Sequence, residues 1–336
     1  MIMSDNYLVS ENAFEPVLDI IEHAKNRAIR AANAEMIQMY WDIGKYVSDS
    51  VEDGGWGKSV VEDFSDFLRR HYPSAKGFSP QNIWRMKQFY ETYRDKEKLS
   101  PLVREISWSN NLLILSGCKT DEAKEFYLRL CARNGYSKRE LERQIDSMLF
   151  ERTMLSDAKN KQLITRSEGL AALRDAYVFE FLELPPEPKE KDLRKAIVDN
   201  LKSFILEFGK DFTFVGEEYR VQVGNTDFFI DLLFYNRALS CLVAVELKVG
   251  KFKPEHIGQI NFYLEAMDRD VKKPNENPSV GLILCASKDD TVVEYALSRS
   301  MSPTMVSEYA LQLPDKKLLQ EKLRELTDMA YTEADE

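Results

Sequence analysis

Hydrophobic and polar positions follow two different rhythms along this chain. From residue 14 to residue 183 apolar residues recur at helical spacing, with no convincing pair of strands and no internal repeat. Phe14 to Val51 reads as one long helix, and Ser79-Pro80 is a helix start for the amphipathic run QNIWRMKQFYETYRDK. The stretch LPPEPKEKD, rich in proline and charge, ends that rhythm. A helix is expected next from about Asp192 to Phe208, with an apolar stripe of Leu193, Ile197, Leu201, Phe204 and Phe208. EYRVQV, FFIDLLFY and LVAVELKV then read as strands, and EHIGQINFYLEAMD as a helix opened by Pro254. SVGLILCAS reads as a buried strand, DDTVVEYALSRS as a helix with an acidic first turn, PTMVSEYAL as a last strand and DKKLLQEKLRELTDM as a final amphipathic helix. The expected organisation is a mainly α-helical domain over residues 1–184, an α/β domain with a central mixed sheet flanked by helices over 185–326, and a frayed acidic tail over 327–336.

Two of the apolar runs carry charges where charges are costly. Asp231 sits inside FFIDLLFY, and Glu246 and Lys248 sit inside LVAVELKV, a continuous apolar run of the kind that forms a central strand covered on both faces. Side chains alternate along a strand, so Glu246 and Lys248 project from one face while Val245 and Leu247 pack on the other. That set suits phosphodiester hydrolysis. Asp231 and Glu246, with the backbone carbonyl of Leu247, offer oxygen ligands to Mg²⁺ or Mn²⁺, and Lys248 can orient or deprotonate a water or offset charge on a phosphate. A buried Asp/Glu/Lys salt-bridge network is the plainer reading of the same residues. The helix that follows shifts the balance, because its Gln259 and Tyr263 are four apart and share a face.

With an acid on one strand, E-x-K on the next and Q-x-x-x-Y on a helix, the chain resembles the PD-(D/E)XK nuclease superfamily, and more narrowly the bacterial YhcG-type nucleases. The narrower resemblance rests on AYVFEFLELP, FILEFGKDFTFVGEEYRVQVG, DFFIDLLFYNR and ELKVGKFKPEHIGQINFYL, and more weakly on YWDIGKYV, GWGKSVVEDFSDFL and GFSPQNIWRMKQFYETY. It implies a restriction-endonuclease-like fold for the C-terminal domain and a catalytic set of Asp231, Glu246, Lys248, Gln259 and Tyr263. Members often add an acid from the helix before the first strand. Glu207, roughly 40° outside the apolar stripe of the 192–208 helix, is the expected choice. Glu218, opening the strand EYRVQV, is its rival, although the YhcG-like pattern tends to carry glutamine there. Asp227 falls near a turn and reads as a turn acid.

Composition bounds the remainder. The four cysteines, Cys118, Cys131, Cys241 and Cys285, and the three histidines, His23, His71 and His256, are scattered, which argues against a zinc site and for buried reduced thiols in a cytoplasmic protein. No segment approaches the roughly 20 apolar residues of a membrane helix. A net charge of −10 is unfavourable for gripping many phosphates, so contact with DNA must come from local clusters such as Arg69, Arg70 and His71, or Arg85 and Lys87. Arg85 and Lys87, among Trp84, Phe89, Tyr90 and Tyr93, could belong to a recognition helix in a winged-helix-like unit; the plainer reading makes the aromatics core and the basic residues a solvated face. The long first helix is a candidate for pairing two subunits in a homodimer. Together these features predict a Mg²⁺ or Mn²⁺-dependent deoxyribonuclease, acting in repair, recombination or defence. The alternative is a non-cleaving nucleic-acid-binding or assembly module on a nuclease-like fold.

Overall fold

The computed structural model describes residues 15–160, 173–298, 300 and 302–334. It divides into two compact units between Glu142 and Arg143. The first unit is built of helices: α1 (Glu15–Glu52), α2 (Lys58–His71), α3 (Pro80–Tyr93), α4 (Trp108–Gly117) and α5 (Asp121–Asn134), with the division falling inside α6 (Lys138–Asp146). Its centre is the crossing of α1 on α3, where Ile37, Tyr40 and Val47 are buried with Ile83, Met86, Phe89 and Tyr93. The two backbones meet at Gly44, where any Cβ would strike the Met86 carbonyl. Ser79 caps α3 by accepting from the Asn82 N–H at 3.3 Å, with Pro80 at the first helical position. Among the described residues of this unit there is no strand, so the winged-helix expectation lacks its wing.

Of the aromatics of α3, Phe89 and Tyr93 are core, and Trp84 and Tyr90 are half-buried. Trp41 of α1 meets Phe89 and Tyr90 edge-on at 5.8 and 5.2 Å. Lys87 is engaged by Glu91 on the next turn, while Arg69, Arg70 and Arg85 are exposed.

The second unit continues through α7 (Leu149–Asn160) and is organised by a six-stranded mixed sheet in the order β1-β6-β5-β4-β3-β2. The strands are β1 (Ala176–Val178), β2 (Phe212–Val223), β3 (Thr226–Asn236), β4 (Cys241–Lys251), β5 (Val280–Ser287) and β6 (Thr304–Ala310). β2, β3 and β4 run antiparallel; β4, β5, β6 and β1 run parallel. Two helices, α8 (Glu190–Asp199) and α9 (Leu201–Phe208), cover one face of the sheet over Val243, Val245, Leu247, Leu282 and Leu284. The other face packs α10 (Glu255–Asp270) over Ala244, Ile283 and Cys285. The unit is completed by α11 (Asp290–Leu297), capped by Asp289 accepting from Thr291 and Val292 N–H, and by α12 (Lys316–Ala334). All four cysteines are buried, and among the described residues no helix is long and apolar enough to cross a membrane.

Three expectations change. The domain seam lies well before residue 184, because β1 adds to the sheet edge alongside β6, a pairing too short to leave a period in the sequence. The tail expected from residue 327 continues α12 as far as Ala334. The helix expected over 192–208 is two helices, broken at Asn200 (φ −113°, ψ 28°).

The break matters for Glu207. On α9 this residue is fully buried, and its carboxylate accepts from Arg143 at 3.1 Å, Arg152 at 2.9 Å and the Val178 N–H at 2.9 Å. Burial pushes its carboxyl up, but Arg152, Arg174 and Arg143 outweigh that and hold it below the usual glutamate range. Glu207 is therefore a bolt between α9, the start of the sheet and the two helices α6 and α7, and not an acid leaning over the strands. A buried ion pair that loses one partner leaves the other uncompensated. Glu207→Ala should cost roughly 3–5 kcal/mol in urea unfolding. A group whose folded pKa is depressed stabilises above its unfolded value, near 4.3 for glutamate, and loses that contribution as pH falls through the folded value. Unfolding midpoints followed downwards from pH 5 should therefore drop more steeply for the native chain than for Glu207→Gln.

Candidate active site

β4 is buried from Cys241 to Leu247, and within it Glu246 is only 2% exposed. Val245 and Leu247 pack under α8 and α9, so Glu246 is turned towards the opposite face, as strand alternation requires. One carboxylate oxygen, Oε1, accepts from Lys248 Nζ at 2.8 Å. The other, Oε2, is buried and has no hydrogen-bond partner. Burial, then the neighbouring charge of Asp231, push the Glu246 carboxyl up to about 7, against the pull of Lys248.

Asp231 reaches this place through an irregularity in β3. Leu232 and Phe234 bury on the α8/α9 side, whereas Leu233 and Ile230, three apart, both bury on the α10 side, so the alternation slips at Asp231. The β3–β4 ladder stops at Leu232–Val245. Past that point the Asp231 carboxylate fills the gap, Oδ2 accepting from the Leu247 N–H at 2.9 Å. A strand residue presents its N–H and C=O to the same edge, so the Leu247 carbonyl faces that gap too.

Two side chains from α8 close the arrangement. Glu190, at the first position of the helix, takes Lys248 Nζ at 3.3 Å, and Arg194, one turn on, donates to Asp231 Oδ1 at 2.9 Å and to Glu218 at 2.7 Å. Burial alone would lower the Lys248 ammonium, but Glu246 and Glu190 outweigh it and raise its pKa. Glu218 lies within β2 rather than at its start. The flanking pairs Glu217–Leu232 and Tyr219–Ile230 set it across from Asp231, and its φ of 42° is the left-handed region that few non-glycine residues adopt.

From α10, Gln259 Nε2 donates to the Tyr263 hydroxyl at 3.0 Å. The phenol is buried and its pKa is raised, first by burial and then by Glu246 and Asp231. His256 completes the neighbourhood, its pKa lowered by burial and then by Lys248.

The structure thus brings together Asp231, Glu246, Leu247, Lys248, Gln259 and Tyr263. It does not add Glu207, whose oxygens belong to arginines. Asp227 lies inside β3 rather than in the turn, across from Gln222 of β2, and pairs with Arg220 at 2.8 Å. Glu190 and Arg194 escaped the sequence reading, although their spacing of four residues on one helix was visible in EKDLR.

Two family models match the chain. One, described as the YhcG PDDEXK nuclease domain, covers residues 170–324, and the other, the DUF1016 N-terminal domain, covers residues 16–152. The chain is 33% identical, over 91% of its length and 92% of the relative's, to the Escherichia coli (strain K12) protein named "Putative nuclease YhcG". It belongs to the YhcG-type PD-(D/E)XK nuclease family. The nuclease-domain match begins ahead of β1 and so takes that strand with the sheet. Solved structures give only a slight likeness. A repair endonuclease from Pyrococcus abyssi is 15% identical with a TM-score of 0.26, covering 39% of this chain and 50% of that one. A complex titled EndoMS-dsDNA2 is 16% identical with a TM-score of 0.28, covering 40% and 48%. Likeness at that level assigns nothing to this chain.

A nuclease-family site built this way should be locally destabilising. Because the fold disfavours ionisation of Glu246, stability falls as pH rises from the ordinary glutamate value, near 4.3, to about 7, and the whole cost is in place above that. Glu246→Gln, which leaves Lys248 with Glu190, should melt no lower than the native chain at pH 8 without divalent ions. A melting point several degrees lower would mean that the glutamate is structural.

Proposed function

We propose that this chain is a divalent-metal-dependent deoxyribonuclease of endonuclease mode. The observation that carries the reading is the Glu246 carboxylate, buried on a central strand with one oxygen unsatisfied, beside Asp231 and Lys248. Native interiors rarely leave such an atom without a partner. Asp231, Glu246 and the Leu247 carbonyl form an all-oxygen donor set of the kind Mg²⁺ and Mn²⁺ prefer. Among the described residues no three side chains of His, Cys, Asp or Glu are grouped closely enough to hold an ion by themselves. An ion here would draw on the two carboxylates, the Leu247 carbonyl, and water or phosphate oxygens, and it competes with Arg194 for Asp231. When bound, it would neutralise phosphate charge and render a water more acidic.

The other residues divide the remaining work. Lys248 is held protonated by two carboxylates, which fits offsetting charge on the scissile phosphate better than removing a proton from water. Glu190 takes the place expected for Glu207 as the additional acid, fixing the ammonium from α8. Because Gln259 donates to the Tyr263 oxygen, the phenolic proton is free to be donated onward to a phosphate or a carboxylate. Arg194, once parted from Asp231, keeps Glu218 as a partner.

Several exposed lysines adjoin these residues in sequence: Lys191 and Lys195 on α8, Lys251 and Lys253 after Lys248. They supply local positive charge to a chain whose net charge is −10. Arg69, Arg70 and Arg85 are exposed candidates for nucleic-acid contact on the first unit; Lys87 is committed to Glu91.

Purified protein with Mn²⁺ should cleave at least one member of a panel of linear, circular, branched and single-stranded DNA. Asp231→Ala and Lys248→Ala should each abolish cleavage while still folding, with a native circular-dichroism spectrum and a cooperative melt. Undiminished cleavage by Asp231→Ala would sink the assignment. Calorimetric titration gives a readout independent of turnover: Arg194→Met should bind Mn²⁺ more tightly than the native chain, and Asp231→Ala should show no heat at this site.

A further inference from the structure

The side of α10 that carries Gln259 and Tyr263 carries a third polar group. His256, Gln259 and Tyr263 follow one another at spacings of three and four residues, which sets them within roughly 60° of arc on one side of the helix. The charges of the site are shared out along that stripe. Glu246 is foremost among the charges acting on Tyr263, whereas Lys248 is foremost among those acting on His256, with Glu190 behind it. The imidazole therefore lies at the lysine end of the site.

The ring is fixed there. Nδ1 accepts from the Lys253 N–H at 3.2 Å, and the buried Phe252 meets the ring edge-on at 5.8 Å. Only an unprotonated ring nitrogen accepts such a bond, so the proton of the neutral imidazole sits on Nε2. Burial and then Lys248 lower the ring's pKa below the ordinary histidine value, so the neutral form prevails at pH 7 and above. Among the described residues Nε2–H meets no acceptor.

These features leave one task for the side chain. A neutral imidazole N–H is far too weak an acid to give up its proton, and Nδ1 cannot take one from water without releasing the Lys253 N–H. What Nε2 offers is a hydrogen-bond donor without charge. An uncharged donor suits this position, because a second cation beside the Lys248 ammonium would be repelled by it.

We propose that His256 is a further catalytic residue of this site, its Nε2–H donating to a non-bridging oxygen of the phosphodiester whose charge Lys248 offsets. The inference rests on the nuclease reading given above. A donor clamped in advance, by a backbone N–H on one side and Phe252 on the other, costs no reorganisation when charge builds on that oxygen.

His256→Asn separates this role from a structural one. The asparagine Oδ1 takes the place of Nδ1 and still accepts from the Lys253 N–H, but nothing replaces Nε2–H. With Mn²⁺ at pH 8, single-turnover cleavage of the DNA that the native chain cuts best should fall about 100-fold. The melting curve and the heat of Mn²⁺ binding should stay close to native. A residue that only steadied the start of α10 would leave the rate where it was. ¹⁵N NMR of the metal-free chain at pH 8 gives a readout independent of turnover, and should show His256 protonated on Nε2 and bare on Nδ1. Cleavage by His256→Asn at the native rate overturns this inference alone, as does a proton on Nδ1. A native chain that cuts no DNA overturns the nuclease reading and this inference with it.

Discussion

A carboxylate held inside a parallel-strand core is the constraint on which this molecule turns. Glu246 has almost no contact with solvent, its ionisation is disfavoured by burial and by Asp231, and only one of its oxygens is hydrogen-bonded. Nothing in the packing of the sheet calls for it. The neighbouring groups follow from that cost: Lys248 from the same strand, Glu190 to steady Lys248, and a ladder that ends early so that Asp231 can occupy the gap.

Glu207 shows the opposite solution to the same difficulty. It is as buried as Glu246, but arginines and a backbone N–H saturate its oxygens and hold it ionised. One acid is satisfied and joins segments; the other is left partly unsatisfied and can take a cation. Burial alone does not distinguish a structural carboxylate from a chemical one. The count of partners does.

Much of the fold was legible. The parallel core strands carry unbroken apolar runs, the helices carry caps and stripes, and the strand and helix limits of β5, β6, α10 and α11 lie close to where those signals put them. The core of the site was legible for a related reason, since Asp231, Glu246 and Lys248 interrupt runs that should contain no charge. What escaped was local or distant in character. The three-residue β1 has too few positions to show a period, and the break at Asn200 rotates Glu207 inward by an amount that no helical wheel over one continuous helix can foresee.

By itself the sequence determined the layered α/β plan, the helical first unit and the identity of the motif acids and lysine, because burial periodicity and the cost of misplaced charge act residue by residue. Only the tertiary structure decided which further charges meet them. Glu190 and Arg194 lie far from β3 and β4 in the chain and reach the site because α8 packs across the sheet, while Glu207 is drawn away by arginines from two other helices. Contacts between segments distant in sequence depend on packing angles and registers, and those exist only once the chain has folded.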